Sequence, residues 1–259
     1  MTTAGEIIFA FCLVLSWFSS CLHIIGRDAM LYTRGPFGRA ELRWTKSASW
    51  LLLASLPYLA AVVAFTLRWF PEWVGIAIIA ALGLQRQIER RLWAGDYVVG
   101  LGKYVPAAAC LMGWLFAYHL TRGATTEWRR AAGWEAACGV IGVTYTVAGI
   151  AKIKDSGRRW FRGSTLGLLV AERALDGPAW VRRLRMGVVK RPRASTFLNA
   201  YGLFAELFGV LVVLPLLRWP MVGILTLLQI GVVLFLGYVE LEWTLVLIAV
   251  ALASNPGLA

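Results

Sequence analysis

The chain has 259 residues, of which 59% are hydrophobic, whereas soluble domains are about 45–50% apolar. This excess indicates an integral membrane protein and argues against a soluble one. The formal charge of +12 arises from 26 lysines and arginines against 14 acidic residues. Cytoplasmic loops of membrane proteins are enriched in basic residues, so we interpret the charge as a sign of topology and expect no nucleic-acid partner.

The apolar runs predict an all-α fold, a polytopic transmembrane helical bundle with seven or eight membrane segments and a short interfacial helix. A helix needs about 20 apolar residues to cross a bilayer, and several runs approach that length. The predicted segments are 6–25, 48–67, 73–84, 97–120, 131–153, 197–217, 219–238 and 241–253. The third and the last are short, so we expect them to pack against neighbours. We predict a single domain over residues 1–259.

The longest hydrophilic region, residues 154–195, is strongly basic. Within it, residues 164–171 are apolar but too few to span, which predicts an interfacial or re-entrant helix. With eight crossings, the most basic loops follow segments one, three and five and share one side. The positive-inside rule assigns that side to the cytoplasm. Contact with anionic lipids follows, and the Ala/Gly richness with arginine over lysine suggests a bacterial plasma membrane.

The four cysteines show no metal-binding or redox spacing. Cys12, Cys21, Cys110 and Cys138 all lie inside or at the ends of apolar segments, and none forms a CxxC pair. Cysteine packs as a small hydrophobe, so we predict buried thiols without a disulfide or a bound metal.

The fifth segment has a helical stripe of small and polar residues at steps of three or four. The stripe consists of Glu135, Cys138, Gly139, Gly142, Tyr145, Gly149 and Lys152. Its glycines are typical of close helix packing. Lys152 has two interpretations: the side chain snorkels to the interface, or it is a desolvated base or anion-binding group.

Glu206 is the acid placed most deeply in a predicted segment. Intramembrane acids usually pair with a cation, and the candidates are Lys152, Lys103 and Arg193. A structural ion pair is one interpretation, and a functional site is the other. We predict that Tyr145, Lys152 and Glu206 line one polar pocket or network near one membrane face. Gln229 lies midway along the seventh segment, where we expect interhelical hydrogen bonds.

Residues 145–163 read YTVAGIAKIKDSGRRWFRG. With its Tyr145, Ala-Gly at 148–149, Lys152 and the Trp160-x-x-Gly163 motif, this stretch resembles the HTTM (horizontally transferred transmembrane) domain family. Two further stretches are similar to family helices in the same order. They are the Gly-Asp-Tyr at 95–97, and Glu206 followed by the Val-Val-Leu-Pro-Leu-Leu at 212–217. The resemblance covers about residues 82–252.

The HTTM family includes the membrane half of vitamin K-dependent gamma-carboxylase, in which the lysine matching Lys152 is the base in hydroquinone chemistry. The resemblance implies two functions. One is a non-catalytic membrane subunit that binds lipid, quinone or partner transmembrane helices within a larger complex. The other is a membrane enzyme or maturation factor that uses Lys152 as a base on a peptide or quinone-like substrate. Lys152, Tyr145 and Glu206 are the candidate catalytic residues, and Gln229 and Trp160 are candidate contacts for a quinone-like lipid.

Overall fold

The computed structural model describes residues 4–25, 48–69, 74–75, 78, 106–157, 163–236 and 241–255. These residues are helical or lie in turns, and they include no strand. The prediction of an all-α fold is therefore confirmed for the described part of the chain. The described α-helices, numbered α1 to α9, are Ala4–Ile25, Ala48–Thr66, Pro106–Leu120, Thr126–Ser156, Gly163–Glu172, Ala179–Val189, Pro192–Leu207, Pro215–Gly231 and Leu241–Ala253.

Two of these helices are long and apolar enough to cross a membrane by length and composition. They are α4, over Thr126–Lys154, and α8, which continues as a π-helix to give Pro215–Leu236. Four shorter apolar helices accompany them in the described residues, at Ala4–Trp17, Ser55–Thr66, Ala109–Leu120 and Glu242–Ala253. The described helices therefore do not supply seven or eight full-length spans. Most of the predicted third segment lies outside the described residues.

The described residues form two compact units. The N-terminal unit comprises residues 1–137 with 252–259, and the C-terminal unit comprises residues 138–251. In the N-terminal unit, α1 packs on α2 and α3. Aromatic side chains fill its core, including the stacked pair Trp17 and Tyr58, whose ring centroids are 4.4 Å apart. The prediction of one domain stays a prediction.

The sixth predicted segment, residues 197–217, is not one helix, so this prediction is wrong in detail. Helix α7 ends at Leu207, and a 3-10 helix follows over Gly209–Val213. Leu214 is extended because it precedes Pro215, and the residue before a proline is disfavoured in helical conformation. Pro215 then occupies the first turn of α8, where its missing N–H costs nothing.

The C-terminal unit is built on three helical stretches that run side by side. The stretch formed by α7 and the 3-10 helix runs antiparallel to α4. Lys152 contacts Glu206 near the end of α4, and Cys138 Sγ lies 3.6 Å from the Val212 carbonyl fourteen residues earlier on that helix. Helix α8 runs parallel to α4, because it starts beside the 3-10 helix and its Gln229 reaches Tyr145. Both α4 and α8 therefore end at the same end of the unit.

Two further helices of this unit lie in the region predicted as hydrophilic. Helix α5, Gly163–Glu172, has nearly the bounds of the short helix predicted over residues 164–171, and it packs on α7. Helix α6, Ala179–Val189, was not predicted and contacts α5, α7 and the π-helix. Helix α9 has the predicted bounds 241–253, and its Trp243 ring lies 5.6 Å from that of Tyr145.

Candidate functional site

Glycines on the stripe of α4 allow the backbone of α7 and the 3-10 helix to approach closely. A Cβ atom at Gly142 would lie 2.9 Å from the Gly209 carbonyl oxygen, and one at Gly149 would lie 2.9 Å from the Leu207 amide nitrogen. A Cβ at Gly209 would lie 2.6 Å from the Cβ of Tyr145. The structure therefore confirms the interpretation of Gly142 and Gly149 as helix-packing residues, whereas a Cβ at Gly139 would meet only Val213 at 3.8 Å.

Thr146 supplies hydrogen bonds to backbone groups where α7 changes into the 3-10 helix. Its hydroxyl donates to the Leu207 carbonyl at 3.3 Å and accepts from the Val210 amide at 2.9 Å. An unsatisfied backbone group in hydrocarbon costs several kcal/mol. At the other end of the 3-10 helix, the buried Arg218 donates to the carbonyls of Val212 and Val213 at 3.3 and 3.4 Å. The break is thus held at both ends by side chains.

The close approach at Gly209 leads to a packing prediction. Gly209→Ala should lower the free energy of unfolding by about 1–3 kcal/mol, the usual cost of overpacking, because the new methyl group meets the Tyr145 Cβ and the Gly142 carbonyl. Gly223→Ala on α8 is the matched control, since nothing lies within 4 Å of a Cβ at that position. Thermal unfolding in detergent measures both. Equal midpoints for the two variants would contradict the packing account.

This packing brings Lys152 and Glu206 together. Lys152 Nζ on α4 donates a hydrogen bond to Glu206 Oε1 on α7. The Glu206 side chain is 10% exposed, whereas 33% of the Lys152 side chain is exposed. Lys152 is therefore a partner of Glu206, as considered, whereas the candidate Lys103 lies outside the described residues. The ammonium is in contact with its carboxylate, so Lys152 does not snorkel away from the helix bundle.

Tyr145 lies two turns before Lys152 and forms a second polar link. Gln229 Nε2 on α8 donates to the Tyr145 hydroxyl at 2.9 Å, and both residues are buried. The expected interhelical hydrogen bond of Gln229 is therefore present. The two polar links join α4 to α7 and to α8. Both start from the same face of α4, which carries Tyr145 and Lys152.

A cavity of about 270 Å³ lies between these helices beside the ion pair, and we refer to it as the Lys152 cavity. Its walls are mostly apolar, with four polar side chains. The lining residues are Lys152, Leu166, Leu198, Asn199, Tyr201, Gly202, Leu203, Glu206, Leu227, Leu228, Ile230, Gly231, Val232, Leu234, Phe235 and Leu236. The Tyr201 hydroxyl donates to the Ile224 carbonyl at 2.8 Å.

The prediction of one pocket for three residues holds only in part. Lys152 and Glu206 line the cavity, but Tyr145 is absent from its lining and is bonded to Gln229 instead. Gln229 also lies outside the lining, although its neighbours Leu228 and Ile230 belong to it. Trp160, the other candidate contact for a quinone-like lipid, lies outside the described residues.

Sequence reasoning missed Asn199, Tyr201 and Arg185. The signal for Asn199 was available, because it precedes Glu206 by seven residues, about two helical turns, and falls on the same side of α7. Tyr201 precedes Glu206 by five residues, a spacing that does not place it on that side. Arg185 is buried, although it lies in the region predicted as hydrophilic. It donates to the carbonyls of Leu234 at 2.7 Å, Arg173 at 2.7 Å and Asp176 at 2.9 Å. Since Leu234 lines the cavity, Arg185 holds part of its wall.

The described residues contain no group of three or more His, Cys, Asp or Glu side chains that could hold a metal ion. Cys12, Cys110 and Cys138 are buried, as predicted, and the surroundings of Cys21 lie outside the described side chains. No protein-family model matches the chain, and neither a curated protein nor a solved structure is significantly similar to it.

Proposed function

We propose that the chain is a multi-pass membrane protein whose C-terminal unit binds one end of a lipid or quinone-like molecule in the Lys152 cavity. As the HTTM resemblance implies, it would act as a subunit of a larger complex with other membrane proteins. The single observation that carries the binding proposal is an apolar cavity whose polar corner is a lysine–glutamate pair.

The membrane location is supported by the outer faces of α4 and α8. In α4, only 33% of an apolar stretch of 18 residues is buried, and in α8 with its π-helix the corresponding share is 22%. These helices are therefore not enclosed like the core helix of a soluble protein. On α4, Val143, Val147 and Ile150 are exposed at steps of four and three and share one face. Large contiguous apolar patches on a protein surface mark contact with a membrane or a partner.

The directions of the helices support a further crossing. Because α4 and α8 run parallel, the chain between them must return across the same thickness. The stretch Pro192–Val213, formed by α7 and the 3-10 helix, makes this return. The break after Leu207 divides this stretch into α7, with 16 residues, and the 3-10 helix, with 5 residues. Neither piece is by itself long enough to cross a membrane. Seven or eight crossings for the whole chain stay a prediction.

The size and polarity of the cavity define the kind of ligand. A volume of about 270 Å³ equals that of roughly nine water molecules in the liquid, at about 30 Å³ each. That suits one substituted ring or the end of a chain, with the remainder of the molecule outside. Glu206 already balances the charge of Lys152, so a neutral head group with a hydroxyl or carbonyl oxygen fits better than an anion. The lysine ammonium has further donors for such an oxygen.

A cavity-filling substitution tests this proposal. Gly231 lines the cavity, and a Cβ there would meet only Phe235 at 3.9 Å, so Gly231→Leu should fill the space without disturbing α8. We expect binding of a decyl-substituted benzoquinone, or of the lipid that co-purifies with the protein, to weaken at least tenfold. Quenching of tryptophan fluorescence measures binding of the benzoquinone, and mass spectrometry of extracted lipids measures the amount of lipid that co-purifies. Gly223→Leu, which is on the same helix but outside the cavity, is the control. Equal binding by both variants would contradict the proposal.

The second candidate function is a membrane enzyme in which Lys152 acts as a base. It is favoured by the position of Lys152 on the cavity wall, with one third of its side chain exposed. The variant Lys152→Arg separates the two functions, because arginine keeps the charge but cannot be deprotonated in proteins. A binding subunit would retain its ligand and its assembly in this variant. An enzyme would lose turnover while it retains both.

A further inference from the structure

Helix α6 is held at the end of a candidate membrane span. Arg185 donates to the carbonyl of Leu234, which lies in the π-helix at the end of the span Pro215–Leu236. The same guanidinium donates to the carbonyls of Arg173 and Asp176 in the turn before α6. The end of α4, with Lys152, lies at the same end of the unit. Helix α6 is therefore fixed at the depth where both candidate spans end.

The surface of α6 that faces away from the protein combines an aromatic residue, an aliphatic residue and two arginines. Val181, Arg185 and Val188 form the buried face. Trp180 is 59% exposed and Leu184 41% exposed, and the two are neighbours at a step of four residues. Arg182 and Arg183 are also exposed. A helix with tryptophan and leucine beside arginines is typical of one that lies in the membrane interface.

The surroundings of α6 add positive charge. Between Glu172 and Arg193 the exposed charged residues comprise six basic and two acidic side chains, a balance of +4. The basic members are Arg173, Arg182, Arg183, Lys190, Arg191 and Arg193. Arg173 pairs with Asp176 at 3.5 Å, whereas the other five form no salt bridge with a described residue. This surface is complementary to a layer of negative charges.

We infer that α6 binds the anionic phospholipid headgroups of the adjacent membrane leaflet. In that position Trp180 and Leu184 enter the boundary between headgroups and acyl chains, and Arg182 and Arg183 contact phosphates. Basic residues near an anionic membrane surface contribute about 1 kcal/mol each, within a Debye length. The inference rests on the proposed membrane location, but not on ligand binding in the Lys152 cavity.

Hydrogen–deuterium exchange of residues 179–189 gives a local measurement. The full chain is placed in nanodiscs of phosphatidylcholine alone or of phosphatidylcholine with phosphatidylglycerol. We expect the anionic lipid to slow exchange in α6, by up to roughly 30-fold if two arginines contribute the usual amount, and high salt to reverse the effect. In Arg182→Gln with Arg183→Gln the slowing should disappear. Arg122→Gln, which removes an exposed arginine of the N-terminal unit, should retain it.

The double variant Arg182→Lys with Arg183→Lys guards against a folding defect, since it restores the charge and should restore the slowing. Equal exchange in both lipid compositions would overturn the inference, as would slowing that persists without the two arginines. Slowing by an acidic peptide or heparin but not by phosphatidylglycerol would also overturn it. Extraction with alkaline carbonate tests the membrane location separately. A protein that resists extraction but shows no lipid effect contradicts only the inference about α6.

Discussion

Glu206→Ala is expected to lower the free energy of unfolding by about 3 kcal/mol, the lower end of the range for breaking a buried ion pair. The lower end applies because one third of the Lys152 side chain is exposed. The substitution leaves the ammonium in an apolar surrounding without the carboxylate that now accepts its hydrogen bond. Unfolding in a series of detergent–denaturant mixtures measures the change. Glu172→Ala is the control, because Glu172 is exposed at the end of α5.

A double-mutant cycle shows whether the effect belongs to the pair. Lys152→Met with Glu206→Leu removes both charges and keeps similar volumes, and replacing a buried ion pair with apolar residues is often neutral or stabilising. We therefore expect the double variant to be more stable than Glu206→Ala. A double variant as unstable as the sum of its single substitutions would show that the two residues act independently. If the double variant folds but no longer binds the ligand, the pair is retained for binding.

Glu6→Ala should have an effect at least as large, about 3–5 kcal/mol on the free energy of unfolding. Glu6 lies in the first turn of α1 and is buried. Its Oε1 accepts from Arg130 at 2.6 Å and from the Trp134 ring nitrogen at 3.2 Å, and its Oε2 accepts from Arg68 at 3.2 Å. One carboxylate thus joins α1 to the end of α2 and the start of α4. Its removal leaves the largely buried guanidinium of Arg130 without this partner.

Thermal unfolding with a probe of the N-terminal unit measures the effect of Glu6→Ala. Glu127→Ala is the matched control, because Glu127 also lies in a first helical turn but is exposed. Its loss should cost only about 0.3–1 kcal/mol from the helix dipole. Arg68 adopts a φ of 65°, a backbone conformation that favours glycine. In Glu6→Ala this strain is no longer offset, so Arg68→Gly should recover part of the lost stability. A Glu6→Ala variant as stable as Glu127→Ala would contradict this account.

The helices themselves could largely be predicted from the sequence. Long apolar runs and a stripe at helical spacing are local properties, so α1, α2, α5 and α9 begin and end close to the predicted residues, whereas α4 begins five residues before its predicted start. The break between Leu207 and Pro215 was missed, although Pro215 was visible. Its stability depends on Thr146 and Arg218, which supply hydrogen bonds from other helices. A run of apolar residues does not reveal such bonds.

The candidate site could be predicted in part. The stripe on α4 identified Lys152 and Tyr145, because an ammonium or a hydroxyl among apolar residues is noticeable in any sequence. Glu206 was identified as the acid in need of a partner, but three cations were equally suitable by sequence. The sequence offered no sign of Glu6, because a single acid in a first helical turn is typical of an ordinary helix start.

By itself, the sequence determined the composition of the helices and the small-residue face of α4, since both depend on residue types at short spacing. Only the tertiary structure decided which polar groups meet. Lys152 and Glu206 are 54 residues apart, and Tyr145 and Gln229 are 84 apart. The Lys152–Glu206 pair forms where Gly142, Gly149 and Gly209 let the backbones of α4, α7 and the 3-10 helix approach closely. The antiparallel direction of α7, and with it the cavity beside Lys152, depends on that close packing and not on any local pattern.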